Sequence, residues 1–333
     1  MHGIVLPAML AAAMVAATND TARTSSELLR PTGRQTAVRT SRNTASVTTL
    51  DSSAPRLRNV RELAEQNKRS RADWGRVLTD IVRRLPADSR YDEAYRRYIE
   101  AGDLVTAGHE WTHFLNEYLT LQSGVGTSSY YLLEGRYVSL ADPEGLRGIV
   151  PSVPASLRGE LHELYLVRNG SNAKIDPLYL LDEWVAYTND LAVAVDKLAS
   201  GKPLNEPHCK VIQSMTAGNV LEFTFYGFAL GMAVQQYDPA YYNSSRGHAL
   251  REFIAWNASR ALELYQQAIE RDELVRGDAR HTRLMRSFRT GSDTAAMRAW
   301  VRRELGTAVA DGWIGPDATR LSQADVDGAP IRQ

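Results

Sequence analysis

The stretch His109-Glu110-Trp111-Thr112-His113 constrains this chain more than any other. In a helix its two histidines stand at i and i+4, on one face and one turn apart. Their imidazoles can then close on one ion at about 2.0–2.1 Å without strain. Glu110 is offset by one position, so it reaches a water held by the ion rather than the ion itself. Zinc lowers the pKa of such a water toward about 7, and a carboxylate can take its proton as it attacks a carbonyl. That chemistry requires the stretch to be helical, and its surroundings agree. Asp103 is placed to cap a helix LVTAGHEWTHFLNEYLTLQ. Val105, Phe114 and Leu115 alternate with the small Ala107 and Gly108, which suits a buried helix packed closely on a neighbour. The competing reading is a surface helix with two solvated histidines.

Over residues 103–120 this helix resembles the zinc-binding helix of the zincin metallopeptidases. The metzincin extension HExxHxxGxxH is excluded, because Asn116 and Leu119 stand where it needs glycine and histidine. The resemblance then implies a glutamate from a later helix as third ligand, as in gluzincins such as thermolysin and the aminopeptidases. Glu183 in LLDEWVAYTND looks like their second motif, with Asp182 before it and the small Ala186 three residues on. It lies much further along the chain than the roughly 20 residues of compact members. Tyr187 also occupies the place where thermolysin-like members carry an aspartate that orients a zinc histidine. Asp190, seven residues after Glu183, returns to the same helix face and can take that second-shell role. Glu134 is the rival third ligand, at near-compact spacing in the β-prone YYLLEGRY. In this clan a sheet beside the zinc helix commonly offers the edge on which a peptide lies. Glu117, i+4 from His113, is either in the second shell or exposed. A peptidase also needs an oxyanion donor. Tyr187 is the candidate, with Tyr130, Tyr131 and Tyr226 as alternatives.

Elsewhere the chain is ordinary in composition and uneven in organisation. Its 39 Lys+Arg balance 39 Asp+Glu, which argues against a dedicated nucleic-acid binder. The single cysteine, Cys209, excludes an internal disulfide framework and any multi-cysteine metal site. No central apolar run reaches the roughly 18 residues of a membrane span. Residues 1–17 read as a signal peptide, IVLPAMLAAAMVAA with small residues before Thr18, which predicts a secreted or periplasmic protein with no transmembrane segment once it is removed. Residues 18–54 form a Ser/Thr/Arg-rich flexible leader, 55–310 the catalytic domain and 311–333 a loose tail. From Val60 onward the pattern is largely helical. Trp74, Val77, Leu78, Ile81 and Leu85 make one stripe. DEAYRRYIEAG, ASLRGELHELYLVR, LYLLDEWVAYTNDLAVAVDKLA, LEFTFYGFALGMAVQQY and REFIAWNASRALELYQQAIE are further helices, and SGVGTSS is a loop.

The remaining chemistry-bearing residues have mostly structural readings. His162, His248 and His281 read as structural or solvated, and His208 beside Cys209 lacks partners. Phe223, Phe225, Tyr226 and Phe228 read as core, and Tyr241-Tyr242 as aromatics at a cleft rim. The arginines from Arg276 to Arg303 read as a solvated face or a dock for an anionic partner. The expectation is a mainly α (α+β), zincin-like domain, with a small sheet or hairpin beside the HExxH helix. It would hold one Zn2+ on His109, His113 and Glu183, with Glu110 as general base, and hydrolyse a peptide or protein substrate. Two rivals remain: a catalytically silent zinc-binding module, and a secreted effector with a single protein target.

Overall fold

The computed structural model describes residues 48–49, 74–85, 103–144, 146, 148–168, 177–201, 210–271, 274–275 and 278–315, all within one compact unit, Thr44–Gln333. Side chains are described for these except 48–49 and 210–215. The expected signal peptide, the helix over 92–102, and His208 with Cys209 lie outside the described residues, as does the expected leader apart from Thr48–Thr49. The architecture is mainly helical with a small antiparallel sheet.

Helix α1 (Gly75–Arg84) buries Leu78, Ile81 and Val82. Its N-terminus is closed from a distant element: Asp196 accepts from the backbone N–H of Arg76 at 2.5 Å and of Val77 at 3.2 Å. Gly75 has φ 76°, and a Cβ there would collide with that same carboxylate. Helix α2 (Leu104–Ser123) starts where Asp103 accepts from Thr106 N–H at 3.2 Å and stops at Gly124, φ 98°. It is buried on nearly all sides through Leu119, as an interior helix must be.

Strands β2 (Thr127–Tyr131) and β3 (Arg136–Ala141) form an antiparallel hairpin that packs on α2, in register Thr127↔Ala141 and Tyr131↔Tyr137. Strand β1 (Thr48–Thr49) pairs on the far side of β3. Strand β2 begins inside the stretch SGVGTSS, which reads as a loop in the sequence. Its hydroxyls explain this: Ser129 Oγ lies 2.8 Å from both Ser123 Oγ and Ser139 Oγ, which ties α2 to both strands.

Helix α3 (Tyr179–Ala199) is the hub, packed against α1, α2, α4 (Lys210–Tyr237) and α6 (Ser245–Ile269). A short α5 (Pro239–Tyr242) turns the chain between the last two. Helices α7 (Arg280–Thr290), α8 (Ala295–Glu304) and α9 (Thr307–Ile314) close the other side. Helix α9 extends into the expected tail, because Trp313 is wholly buried and its indole N–H donates to Ala258 O at 3.1 Å. Among the described residues no helix is long and apolar enough to cross a membrane.

The expected helix 155–168 differs most from its sequence reading. It divides into a 3-10 turn at Ala155–Leu157, an open step at Arg158-Gly159, and a π-helical turn, His162–Arg168, and a further 3-10 turn, Val150–Ser152, precedes it. The break falls where Gly159 is pressed against the side chain of Glu222.

Candidate metal centre

Helix geometry sets His109 and His113 side by side on α2, and α3 brings Glu183 to them. The two Nε2 atoms are 3.0 Å apart, and Glu183 Oε2 lies 3.7 Å from the first and 3.5 Å from the second. A triangle of that size has a point about 2.0 Å from each corner, matching zinc–nitrogen and zinc–oxygen bond lengths. All three residues are buried and form a group that can hold a metal ion. The approach of α2 and α3 depends on small residues. A Cβ at Gly108 would stand 2.9 Å from Val193 Cγ2, and Ala186 is fully buried.

The histidines' other nitrogens each face a carboxylate. His113 Nδ1 is 2.7 Å from Asp182 Oδ2, and Asn116 Nδ2 donates to Asp182 Oδ1 at 2.6 Å. His109 Nδ1 is 3.3 Å from Asp190 Oδ2, a close ion-pair distance without aligned hydrogen-bond geometry. Such carboxylates fix ring orientation and raise ligand basicity. Asp182 was read from the sequence only as part of the Glu183 motif. Its position beside His113 follows from its place on α3, one residue from Glu183 and facing α2.

The electrostatics fit the same geometry. Burial and the neighbouring His113 hold His109 well below the usual histidine range, so it is a neutral imidazole, as a ligand must be. Burial pushes His113 down, but Asp182 and Glu183 outweigh it and hold the ring well above that range. Burial raises Glu183, partly offset by His113. Its Oε2 has no hydrogen-bond partner in the protein although it is buried.

Three more groups flank the cluster. Glu110 is buried on α2, and its charge is felt by both Tyr165 and Tyr187. The Tyr187 ring lies edge-on to His109 at 4.4 Å and stacks on Phe223 at 4.8 Å. Its hydroxyl is 3.1 Å from that of Tyr165. Tyr165 was missed by sequence reasoning. A helical stripe through Leu161 and Tyr165 marks an inward-facing ring, but no local pattern says what the ring meets.

No family model, curated protein or solved structure matches this chain. The site stands on its own geometry.

Other candidates lie elsewhere. Glu134 occupies the tip of the hairpin, φ 55°, with its side chain 80% exposed and paired to Arg136 at 3.1 Å. It is not in the cluster, nor is the half-buried Glu117. Tyr130 donates to Leu178 O, Tyr131 to Asp80 and Tyr226 to Glu222, so their hydroxyls are engaged outside the site. His248 pairs with Glu252 on the surface, and His281 lies against Tyr265. Tyr241 and Tyr242 are buried rather than at a rim: the first donates to Ala141 O at 2.6 Å, and Arg251 covers the second. Arg280 departs from the solvated arginine face, being buried beside Asp278 and Glu222.

The sheet is also arranged differently from the expected peptide cradle. Along the helix-facing edge of β2, Thr120 Oγ1 accepts from Ser129 N–H and Asn116 Oδ1 from Tyr131 N–H, while Asn189 Nδ2 donates to Tyr131 O. Side chains of the two site helices thus occupy the backbone groups that an added strand would use.

Proposed function

We propose that this protein is a zinc-dependent metallopeptidase of the zincin type, gluzincin-like, in which His109, His113 and Glu183 bind the metal and Glu110 is the general base. The observation that carries this reading is the convergence of three buried ligand atoms from two helices, with one carboxylate oxygen otherwise unpartnered. That oxygen faces the two imidazoles at 3.7 and 3.5 Å without a hydrogen bond, and a cation at the centre of the triangle would give it a direct partner. Zinc suits two imidazoles and one carboxylate, and when bound it supplies Lewis-acid activation of water and of a scissile carbonyl.

The chain's own residues then have distinct tasks. Asp182 and Asp190 orient the two rings. Glu110 takes a proton from the attacking water and passes it to the leaving nitrogen. Tyr187, beside His109 and partnered by Tyr165, is placed to donate to a developing oxyanion. A bound peptide is held by surfaces other than the helix-facing edge of β2. The readings of residues 1–17 as a signal peptide and of the chain as secreted or periplasmic rest on sequence.

Metal analysis of the full chain beside its variants tests the assignment. One zinc per chain is expected in the wild type, with the metal lost in Glu183→Ala and kept in Glu134→Ala and Glu110→Gln. Hydrolysis of a peptide library is expected from the wild type and not from Glu110→Gln. A wild type that binds no zinc, or a Glu134→Ala variant that alone empties the site, overturns it.

A further inference from the structure

We infer that Glu222, on α4 and outside the metal cluster, is a positioning residue that holds the π-helical turn so that Tyr165 reaches Tyr187, whose ring packs on His109; the functional consequence rests on the assignment of His109 as a ligand. Glu222 is 0% exposed. Its Oε1 accepts from the Leu161 N–H at 3.0 Å and from the Tyr226 hydroxyl, and its Oε2 faces Arg280 Nη1 at 3.7 Å. This carboxylate therefore clamps the first turn of the segment, four residues before Tyr165. Gly159 is the matching half of the device. A Cβ there would collide with the Glu222 carboxylate, so the chain can approach the clamp only through glycine.

The neighbouring residue completes the arrangement. Phe223 presents its ring to Tyr165 edge-on at 5.0 Å and stacks on Tyr187. From α3, the Tyr179 hydroxyl donates to Tyr165 O. Tyr165 is thus held through its backbone, its ring and the start of its helix, and its hydroxyl lies 3.1 Å from that of Tyr187, whose ring stands edge-on to His109. An ion pair serving stability alone would need neither the open step at Gly159 nor a π turn. Both follow if the task of Glu222 is to aim one hydroxyl at the tyrosine that packs on His109.

The experiment compares Glu222→Ala, Gly159→Ala and Tyr165→Phe in the full chain, singly and combined, by NMR, amide exchange and zinc titration. The first two variants are expected to move the Tyr165 ring resonances away from their wild-type positions while those of Phe288 and Trp313 stay in place. Amide exchange at Leu161–Leu166 accelerates by about tenfold or more. Zinc binding weakens about tenfold, the scale of losing a group that orients a ligand, and by a similar factor in Tyr165→Phe. The combined variants lose no more than the single ones, because Glu222 acts through Tyr165. Unmoved Tyr165 resonances in Glu222→Ala or Gly159→Ala overturn the inference, and so do additive zinc losses. If Glu222→Ala fails to fold, Gly159→Ala decides. A wild type without zinc affinity removes the metallopeptidase reading, while ring resonances and amide exchange still judge the clamp.

Discussion

Helix α4 separates two buried regions of opposite character. On one side Phe225, Phe228, Phe288 and Trp313 pack ring against ring, with Phe225 and Phe288 centroids 4.8 Å apart. On the other, Phe223 backs a pocket of imidazoles, carboxylates and tyrosine hydroxyls between α2 and α3. The aromatic region is explained by burial of apolar surface alone, and the indole N–H of Trp313 has its acceptor. The polar region is not self-sufficient. Glu183 Oε2 and Asp190 Oδ1 are buried without hydrogen-bond partners. Groups of that kind weaken a fold unless something binds them, so their convergence reads as a site.

Four measurements break or sharpen this contrast. The largest effect belongs to the polar side. Glu110→Gln is expected to lower peptide hydrolysis by about 10²–10⁴-fold while zinc content, read by elemental analysis, is unchanged. On the aromatic side, Phe288→Ala is expected to destabilise the fold by about 3–5 kcal/mol in denaturant unfolding, with zinc affinity kept. Zinc at about 100 times its dissociation constant should stabilise the wild type by about 2.7 kcal/mol, seen as a raised melting temperature. Phe288→Ala should keep that increment and Glu183→Ala should lose it; an equal loss in both would mean the regions are not separate. The smallest effect concerns Asp142, a half-buried carboxyl in neither region. Burial raises its pKa despite the Ser128 hydrogen bond. Its stabilising contribution is therefore complete below the unfolded aspartate pKa of about 3.9 and is lost as pH rises through the higher folded value. Asp142→Asn should lack that decline, so stability–pH curves of the two proteins diverge upward from about pH 4.

The two regions also differ in how far they could be read in advance. Helix α2 was legible from its cap at Asp103 to the last turn before Gly124, since cap, periodicity and motif all act within one element. The choice of Glu183 over Glu134 drew on resemblance, and the structure places the first beside the histidines and the second on an exposed hairpin tip. The carboxylates that face the two imidazoles were half legible. Helical periodicity pointed to Asp190 but could not tell which histidine it would meet, nor that Asp182 would face the other. Tyr165 and the burial of Tyr241 and Tyr242 were not legible, because both depend on contacts between segments far apart in sequence. The π turn is the clearest case. Its residues carry an ordinary helical pattern, and only the pressure of Glu222 on Gly159 shows why the helix is broken there.

By itself the sequence determined a helix carrying two imidazoles and an adjacent acid, and a second helix with a glutamate of matching type. Hydrogen bonding and side-chain period within a helix act over a few residues, so such features are written locally. The tertiary structure decided which carboxylates meet which rings, which tyrosines stand over them, and that the helix-facing edge of β2 is occupied. Those outcomes depend on how α3 and α4 pack against α2, and packing is set by the shapes of surfaces that no single segment contains.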